Sequence, residues 1–262
     1  MQLSRTVLSL GASTVALGAV VAVAGAAGLH PPSASATVEP GTPARDVHIG
    51  RDDDNARNHL IQPRGVRAKQ HMDDADILFG RANDDLLIGR LGSDTLLGGP
   101  GSDILVGGPD RGRSPSSDVA VGDTGDDVSI WSPGDGNDAF VANENRDTMI
   151  LAPLVRRSDG SLRLTSFAGR KVPHVSIDNR PRFSCTIVRV PRTRPAGFSF
   201  LVRFDVDRAP VATVRMKDVE RLFCPSPRRG TARVADLTVA HPAFHGVRLR
   251  AVGGVTGSIL GR

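Results

Sequence analysis

The chain has 262 residues, with 33 Lys and Arg against 28 Asp and Glu, a formal net charge of +5 and a pI near 10.1. Such a length accommodates two modest cores, and the basic pI invites a nucleic-acid reading that the distribution of charge argues against. Residues 71–150 carry sixteen acids against five Arg, a net −11, and residues 151–262 carry twenty-one Lys and Arg against seven acids, a net +14. The basic residues stand singly and Tyr is absent, so no nucleic-acid partner is expected. The asymmetry suggests instead that the basic half docks on the acidic one, by a charge attraction that salt would weaken.

Residues 1–36 read as a secretory signal peptide. Arg5 supplies the positive start, Val7 to Leu29 is a run of small apolar residues, and Ala34-Ser35-Ala36 is a cleavage site of the A-x-A kind. An uncleaved membrane anchor is the alternative, because the run is long enough to span. Cleavage leaves Thr37–Arg262, in which no stretch could cross a bilayer, so a secreted, extracellular protein is expected. Residues 37–70 contain Pro and charge with little periodicity, and read as a linker or N-terminal cap. Within them, Gly50 to Asn55 could be a worn turn of the pattern that follows, or a solvated acidic turn.

From His71 to Ile150 the chain repeats every nine residues. Units begin at His71, Gly80, Gly89, Gly98, Gly107, Gly122, Pro133 and Ala142, with a six-residue insertion at Arg111–Ser116 and two extra residues at Trp131-Ser132. The sixth position is Asp throughout: Asp76, Asp85, Asp94, Asp103, Asp118, Asp127, Asp138 and Asp147. The eighth reads Leu78, Leu87, Leu96, Leu105, Ala120, Ser129, Phe140 and Met149. The last three residues of a unit suit a short strand whose middle member points inward, so the eighth must be apolar. The first six must reverse the chain, which requires left-handed backbone. Gly92, Gly101, Gly125 and Gly136 provide it at the fourth position, and Asn83 and Asn145 replace Gly there.

Stacking alternate units places every second Asp in a row at the strand spacing of about 4.8 Å. Carboxylates so close repel, by about 1 kcal/mol per neighbour in a water-like dielectric and more in a drier one. Oxygen donors in that arrangement suit a calcium ion. The pattern G-G-x-G-x-D-x-U-x resembles the hemolysin-type calcium-binding repeat (RTX) family, over about eighty of the 262 residues. The resemblance implies a β-roll in which Ca²⁺ lies between successive loops on one edge, held by the repeat Asp and loop carbonyls. Asp85 would pair with Asp103, and Asp94 with its neighbours along its edge. Arg81 and Arg90 at the second position, the Arg111–Ser116 insertion and Ser129 at a core position depart from the pattern.

The seventh and ninth positions are apolar as well, at Ile77, Phe79, Leu86, Ile88, Leu97, Ile104, Val106, Val119, Val121, Val128 and Ile130. They would form an outward apolar face. Its partner is either the C-terminal region of this chain, or a second copy or another protein, including cell-wall material.

Residues 151–262 alternate in a β manner at 161–165, 172–177, 185–190, 198–206, 211–219, 234–239 and 247–252, separated by Pro, Gly, Asn and Asp. The expected fold is therefore all-β: a parallel β-roll over 71–150, then a basic β-rich domain over 151–262, built as a sandwich or as an extension of the roll. The passage from Val211 to Phe223 looks similar to a segment that follows the repeats in secreted actinobacterial RTX proteins. Cys185 and Cys224 are the only cysteines, which in a secreted chain reads as one disulfide; two free buried thiols are the alternative.

No catalytic motif emerges. There is no H-E-x-x-H, no G-x-S-x-G and no phosphate-binding glycine loop. His241-Pro-Ala-Phe-His245 has two His four apart, but Pro242 opposes the helix that would align them, which leaves a surface loop. The expected function is calcium binding without catalysis. Two alternatives stand beside it: a hydrolase whose unrecognised site lies in 151–262, and an adhesion protein of the cell surface.

Overall fold

The computed structural model describes residues 37–39, 41, 47–49, 76–89, 92–108, 117–152, 164–167, 170–173, 182–191, 197–228 and 231–248. Among them every regular element is a strand and none is a helix. Two short strands, β1 (Thr37–Glu39) and β2 (Val47–Ile49), precede the repeats. The repeats form β3 (Asp76–Phe79), β4 (Leu86–Ile88), β5 (Thr95–Leu97), β6 (Ile104–Val106), β7 (Val119–Thr124), β8 (Val128–Trp131), β9 (Ala139–Glu144) and β10 (Thr148–Leu151). The C-terminal region adds β11 (Leu164–Phe167), β12 (Arg170–Pro173), β13 (Phe183–Arg189), β14 (Phe200–Val206), β15 (Ala209–Lys217), β16 (Arg221–Pro225), β17 (Thr231–Asp236) and β18 (His245–Arg248).

Each nonapeptide is half a coil. Its strand joins one sheet and the next unit's strand joins the facing sheet, so β3, β5, β7 and β9 stack in parallel opposite β4, β6, β8 and β10. Pairing follows the repeat register: Leu78, Leu96, Ala120 and Phe140 succeed one another in one sheet, and Leu87, Leu105, Ser129 and Met149 in the other. These eighth-position residues are buried, and all but Ser129 belong to one continuous core. The two residues inserted after the Gly122 unit answer the weakness at Ser129. They prolong β8 to Trp131, which lies two positions on, on the same inward face, and fills the interior. Its indole meets Phe204 edge-on at 4.7 Å, and its Nε1 donates to the Gly136 carbonyl at 3.1 Å.

Both ends of the roll are capped by strands from outside the repeats. β1 pairs in parallel with β3, and β2 with β4. Gly50 to Asn55 and the proposed signal peptide lie outside the described residues. At the other end, β13, β14 and β15 form an antiparallel meander whose last strand runs parallel to β9. The chain then crosses to the second sheet, where β16 runs parallel to β10 and β17 and β18 follow antiparallel. The C-terminal region is thus β-rich and two-layered as expected, and its layers continue the sheets of the roll. The expected strand at 211–219 overlaps β15, which starts two residues earlier, but β16 is a separate strand that the alternation did not isolate. The last strand begins at His245, two residues earlier than expected.

Cys185 on β13 and Cys224 on β16 form a disulfide with a Cα separation of 6.4 Å, so the bridge ties one sheet to the other. The joint between the acidic and basic halves is made by strand pairing and a shared apolar core. The Arg203–Asp205 and Lys217–Asp218 ion pairs lie within the basic half and do not bridge to the repeats.

The outward apolar face expected at positions seven and nine exists in direction but is covered on the second sheet and partly covered on the first. Leu86, Ile88, Ile104, Val106, Val128, Ile130 and Ile150 form a second buried cluster with Phe223, Ala232 and Val234 on the outer side of the second sheet. On the first sheet Ala139 and Val141 pack with Phe198, and Leu97 and Val119 are buried, while Ile77, Phe79 and Val121 are half-buried. A strand apolar on both faces needs cover on both, and on the second sheet the chain supplies it. His241 to His245 runs along the surface with both imidazoles exposed.

Candidate metal centre

The sixth-position Asp side chains form two rows, one on each edge of the roll. On the first edge, the amides of Asp76, Asp94 and Asp118 donate to Oδ1 of Asp94, Asp118 and Asp138 at 2.8, 2.8 and 2.9 Å. On the second, the amides of Asp85, Asp103 and Asp127 donate to Oδ1 of Asp103, Asp127 and Asp147 at 2.7, 2.8 and 2.7 Å. All eight residues expected at this position are therefore brought into line and buried, and the six from Asp94 to Asp147 turn their carboxylates toward the layer before them. The pairs Asp85–Asp103 and Asp94–Asp118 are among them.

The loops that hold these rows are wound left-handed at two positions, not one. The fourth position has positive φ at Asn83, Gly92, Gly101, Gly125, Gly136 and Asn145, and the second at Arg81, Gly99, Asp123, Gly134 and Asn143. Arg81 therefore keeps the repeat geometry at a cost in backbone strain. Arg90 and the insertion Arg111–Ser116 lie outside the described residues. First-position glycine has a different reason. A Cβ on Gly89, Gly98, Gly107 or Gly122 would overlap Oδ2 of Asp94, Asp103, Asp118 or Asp127. In these four units the carboxylate thus rests against the α-carbon that opens the same unit.

The electrostatics of the rows are unfavourable as they stand. Burial pushes the Asp103 carboxyl up to about 8, against the pull of the Asp85 amide bond, and the charges of Asp85 and Asp123 raise it further. Burial likewise takes Asp127 to about 9 despite the Asp103 amide, with Asp103, Asp147 and Asp123 adding repulsion. Asp147 is raised to about 7, by burial first and then by Glu220, Asp126 and Asp218, while the Asp127 amide opposes the rise. The second oxygen of Asp103, Asp127 and Asp147 is sealed from solvent and accepts no hydrogen bond. A buried carboxylate oxygen without a partner is expensive.

These features fit a hard divalent cation. Among the described residues no three His, Cys, Asp or Glu side chains converge on one point, so carboxylates would supply only part of a coordination shell. The loops also present main-chain carbonyls: those of Arg81, Asn83 and Gly101 bear directly on Gly99, Gly101 and Gly125 of the next layer. Carboxylates and carbonyls, with no sulfur or imidazole, form the donor set of Ca²⁺, which takes six to eight oxygens.

Comparison with known proteins agrees. Residues 72–111 match the RTX calcium-binding nonapeptide repeat, in four copies. These are RTX repeats. RTX repeats bind Ca²⁺, and the coils that follow residue 111 preserve the same fold. No curated protein matches the chain. The likeness of Val211 to Phe223 to a segment of actinobacterial RTX proteins is not borne out, since the match ends at residue 111.

Sequence reasoning missed two acidic residues beside the RTX rows. Asp135, third in its unit, is buried and accepts from the Ser132 amide at 2.7 Å and the Ser132 hydroxyl at 3.2 Å. Glu220 lies outside the repeats, and its Oε2 accepts from the Asp147 amide at 2.7 Å. A faint signal marked it: Glu220-Arg-Leu222 has an acid two residues before an apolar one, as in D-x-U, without the glycine loop ahead of it.

Proposed function

We propose that the protein is a secreted, non-catalytic calcium-binding protein whose RTX roll folds on binding the ion. The carrying observation is the row of buried carboxylates in which Asp103, Asp127 and Asp147 each have one oxygen bonded to the preceding layer and the other without a partner. Asp76, Asp85, Asp94, Asp103, Asp118, Asp127, Asp138 and Asp147 would supply carboxylate ligands. Gly92, Gly101, Gly125 and Gly136 would present loop carbonyls. When bound, calcium supplies the positive charge that allows these carboxyls to ionise inside the roll. Each Asp then holds its loop to the one before, and the eighth-position residues are kept in the interior.

Secretion is favoured by the signal-like residues 1–36 and by the disulfide, which belongs to an oxidising compartment. Cleavage after Ala36 would leave β1, which begins at Thr37, whole. Extracellular modules bind calcium with Kd of order 10⁻⁴–10⁻³ M, a range that keeps the roll open inside a cell and closed outside it. Far-UV circular dichroism of Thr37–Arg262, titrated with calcium after chelator treatment, tests the proposal. A saturable gain of β signal is expected with calcium and not with magnesium. Asp103→Ala should raise the midpoint and Asp159→Ala, outside the repeats, should leave it. A spectrum already β-rich in chelator and indifferent to calcium would end the reading.

A further inference from the structure

The second carboxylate row does not stop at the last repeat. β16 runs parallel to β10 with Arg221 beside Thr148, Leu222 beside Met149 and Phe223 beside Ile150. Glu220 therefore stands where the next Asp of the row would be. It arrives 73 residues after Asp147, yet it accepts the Asp147 amide as Asp147 accepts that of Asp127 and Asp127 that of Asp103. Leu222 fills the interior like an eighth residue, and Phe223 joins the outer cluster like a ninth. In the facing sheet Met216 of β15 lies beside Phe140 and fills the same core. β15 and β16 are thus a further coil, in which the six-residue loop is shortened to Asp218, Val219 and Glu220.

A second observation points to a cation at this end. Asp147 is fully buried and its Oδ2 accepts no hydrogen bond. The charges acting on it are carboxylates: Glu220, Asp126 and Asp218. Asn143 and Asn145 of its loop hold the left-handed conformation of Arg81 and Asn83, whose carbonyls bear on the following layer. For the 142–147 loop, that following layer is Asp218–Glu220.

Resting on the calcium reading of the RTX rows, we infer that Glu220 is the terminal carboxylate ligand of the second row. The last Ca²⁺ site then lies between the 142–147 loop and Asp218–Glu220, and it is complete only when the C-terminal strands are seated on the roll. Calcium at this end and docking of β15 and β16 strengthen each other by the same factor, as linkage requires. The device lets the C-terminal region register whether the roll has folded.

The test is calcium stoichiometry by equilibrium dialysis, on Thr37–Arg262 with the disulfide intact. Wild type, Glu220→Gln, Glu220→Asp and Asp103→Asn would be compared. Gln retains the acceptor for the Asp147 amide, so the fold persists, and far-UV circular dichroism at saturating calcium checks this. Glu220→Gln is expected to bind one calcium fewer per chain and to lose calcium-dependent protection of the β16 amides from hydrogen exchange. Glu220→Asp, which restores the charge, should recover the full count at weaker affinity; a count as low as that of Gln would overturn the assignment. Unchanged stoichiometry in Glu220→Gln, with calcium lost in Asp103→Asn, would overturn it and leave the reading of the rows intact. Absence of calcium binding by the wild type would overturn both.

Discussion

The rows make the metal-free protein sensitive to pH, and the size of the effect decides whether the roll can persist without calcium. In the folded state Asp103 and Asp127 hold their protons up to about pH 8 and 9, whereas in an unfolded chain they release them near pH 4. Between those limits the folded state binds more protons than the unfolded one. Stability is therefore fully present below about pH 4 and declines as pH rises through this window. Each group removes up to about 1.4 kcal/mol per pH unit, so the two together remove about 3. Asp147 acts in the same direction up to about pH 7. From pH 5 to 8 the two alone lose several kcal/mol, a large part of the roughly 5–15 kcal/mol that holds a whole domain together. Without calcium, then, the roll should be folded in mild acid and open at neutral pH, and calcium at pH 7.5 should close it with release of protons. Far-UV circular dichroism and urea titrations in chelator from pH 4.5 to 8.5, with proton release followed in a weakly buffered calcium titration, would measure this. Asp127→Asn keeps the acceptor for the Asp103 amide and removes one titrating group, so it should flatten the slope by up to one proton. Metal-free stability that is level or rises between pH 5 and 8 would refute the reasoning.

Two further outcomes are expected. Gly122→Ala places a Cβ on Asp127 Oδ2, whereas a Cβ on Gly246 meets nothing within 4 Å. The first should therefore weaken the calcium response in the dichroism titration, and the second should leave it within experimental error. Reducing the Cys185–Cys224 bridge, which closes a loop of sequence separation 39, should cost about 3–4 kcal/mol on the chain-entropy argument. Urea unfolding with and without reductant at saturating calcium would measure it, and a loss well below 1 kcal/mol would mean that the unfolded chain is already restrained.

Much of the roll was legible in the sequence because its determinants are local. Nine residues specify one half-coil: left-handed turn residues, an Asp at the junction with the strand, and an apolar residue two further on. Repetition at constant length then dictates that strands alternate between two sheets and that every second Asp shares an edge. The rows Asp76–Asp138 and Asp85–Asp147 follow from that arithmetic. The reason for glycine at the first position does not, because it lies in contact with a carboxylate and not in a dihedral angle.

Beyond residue 150 the alternation of apolar residues marked strands but not their neighbours. Strand edges pair through main-chain groups that are the same for every residue, so a pattern such as Phe200–Val206 does not say which strand lies beside it. Only the tertiary structure decided that β15 and β16 continue the roll, that the disulfide joins its two sheets, and that the seventh and ninth positions of the second sheet are covered by their own chain. Glu220 belongs to the same class: its alignment with Asp147 comes from the pairing of β10 with β16, across 73 residues of sequence. The sequence by itself determined the repeating coil and its affinity for calcium, since both are written within nine residues. The tertiary structure determined how that coil ends, since its closure depends on which edge a distant strand finds.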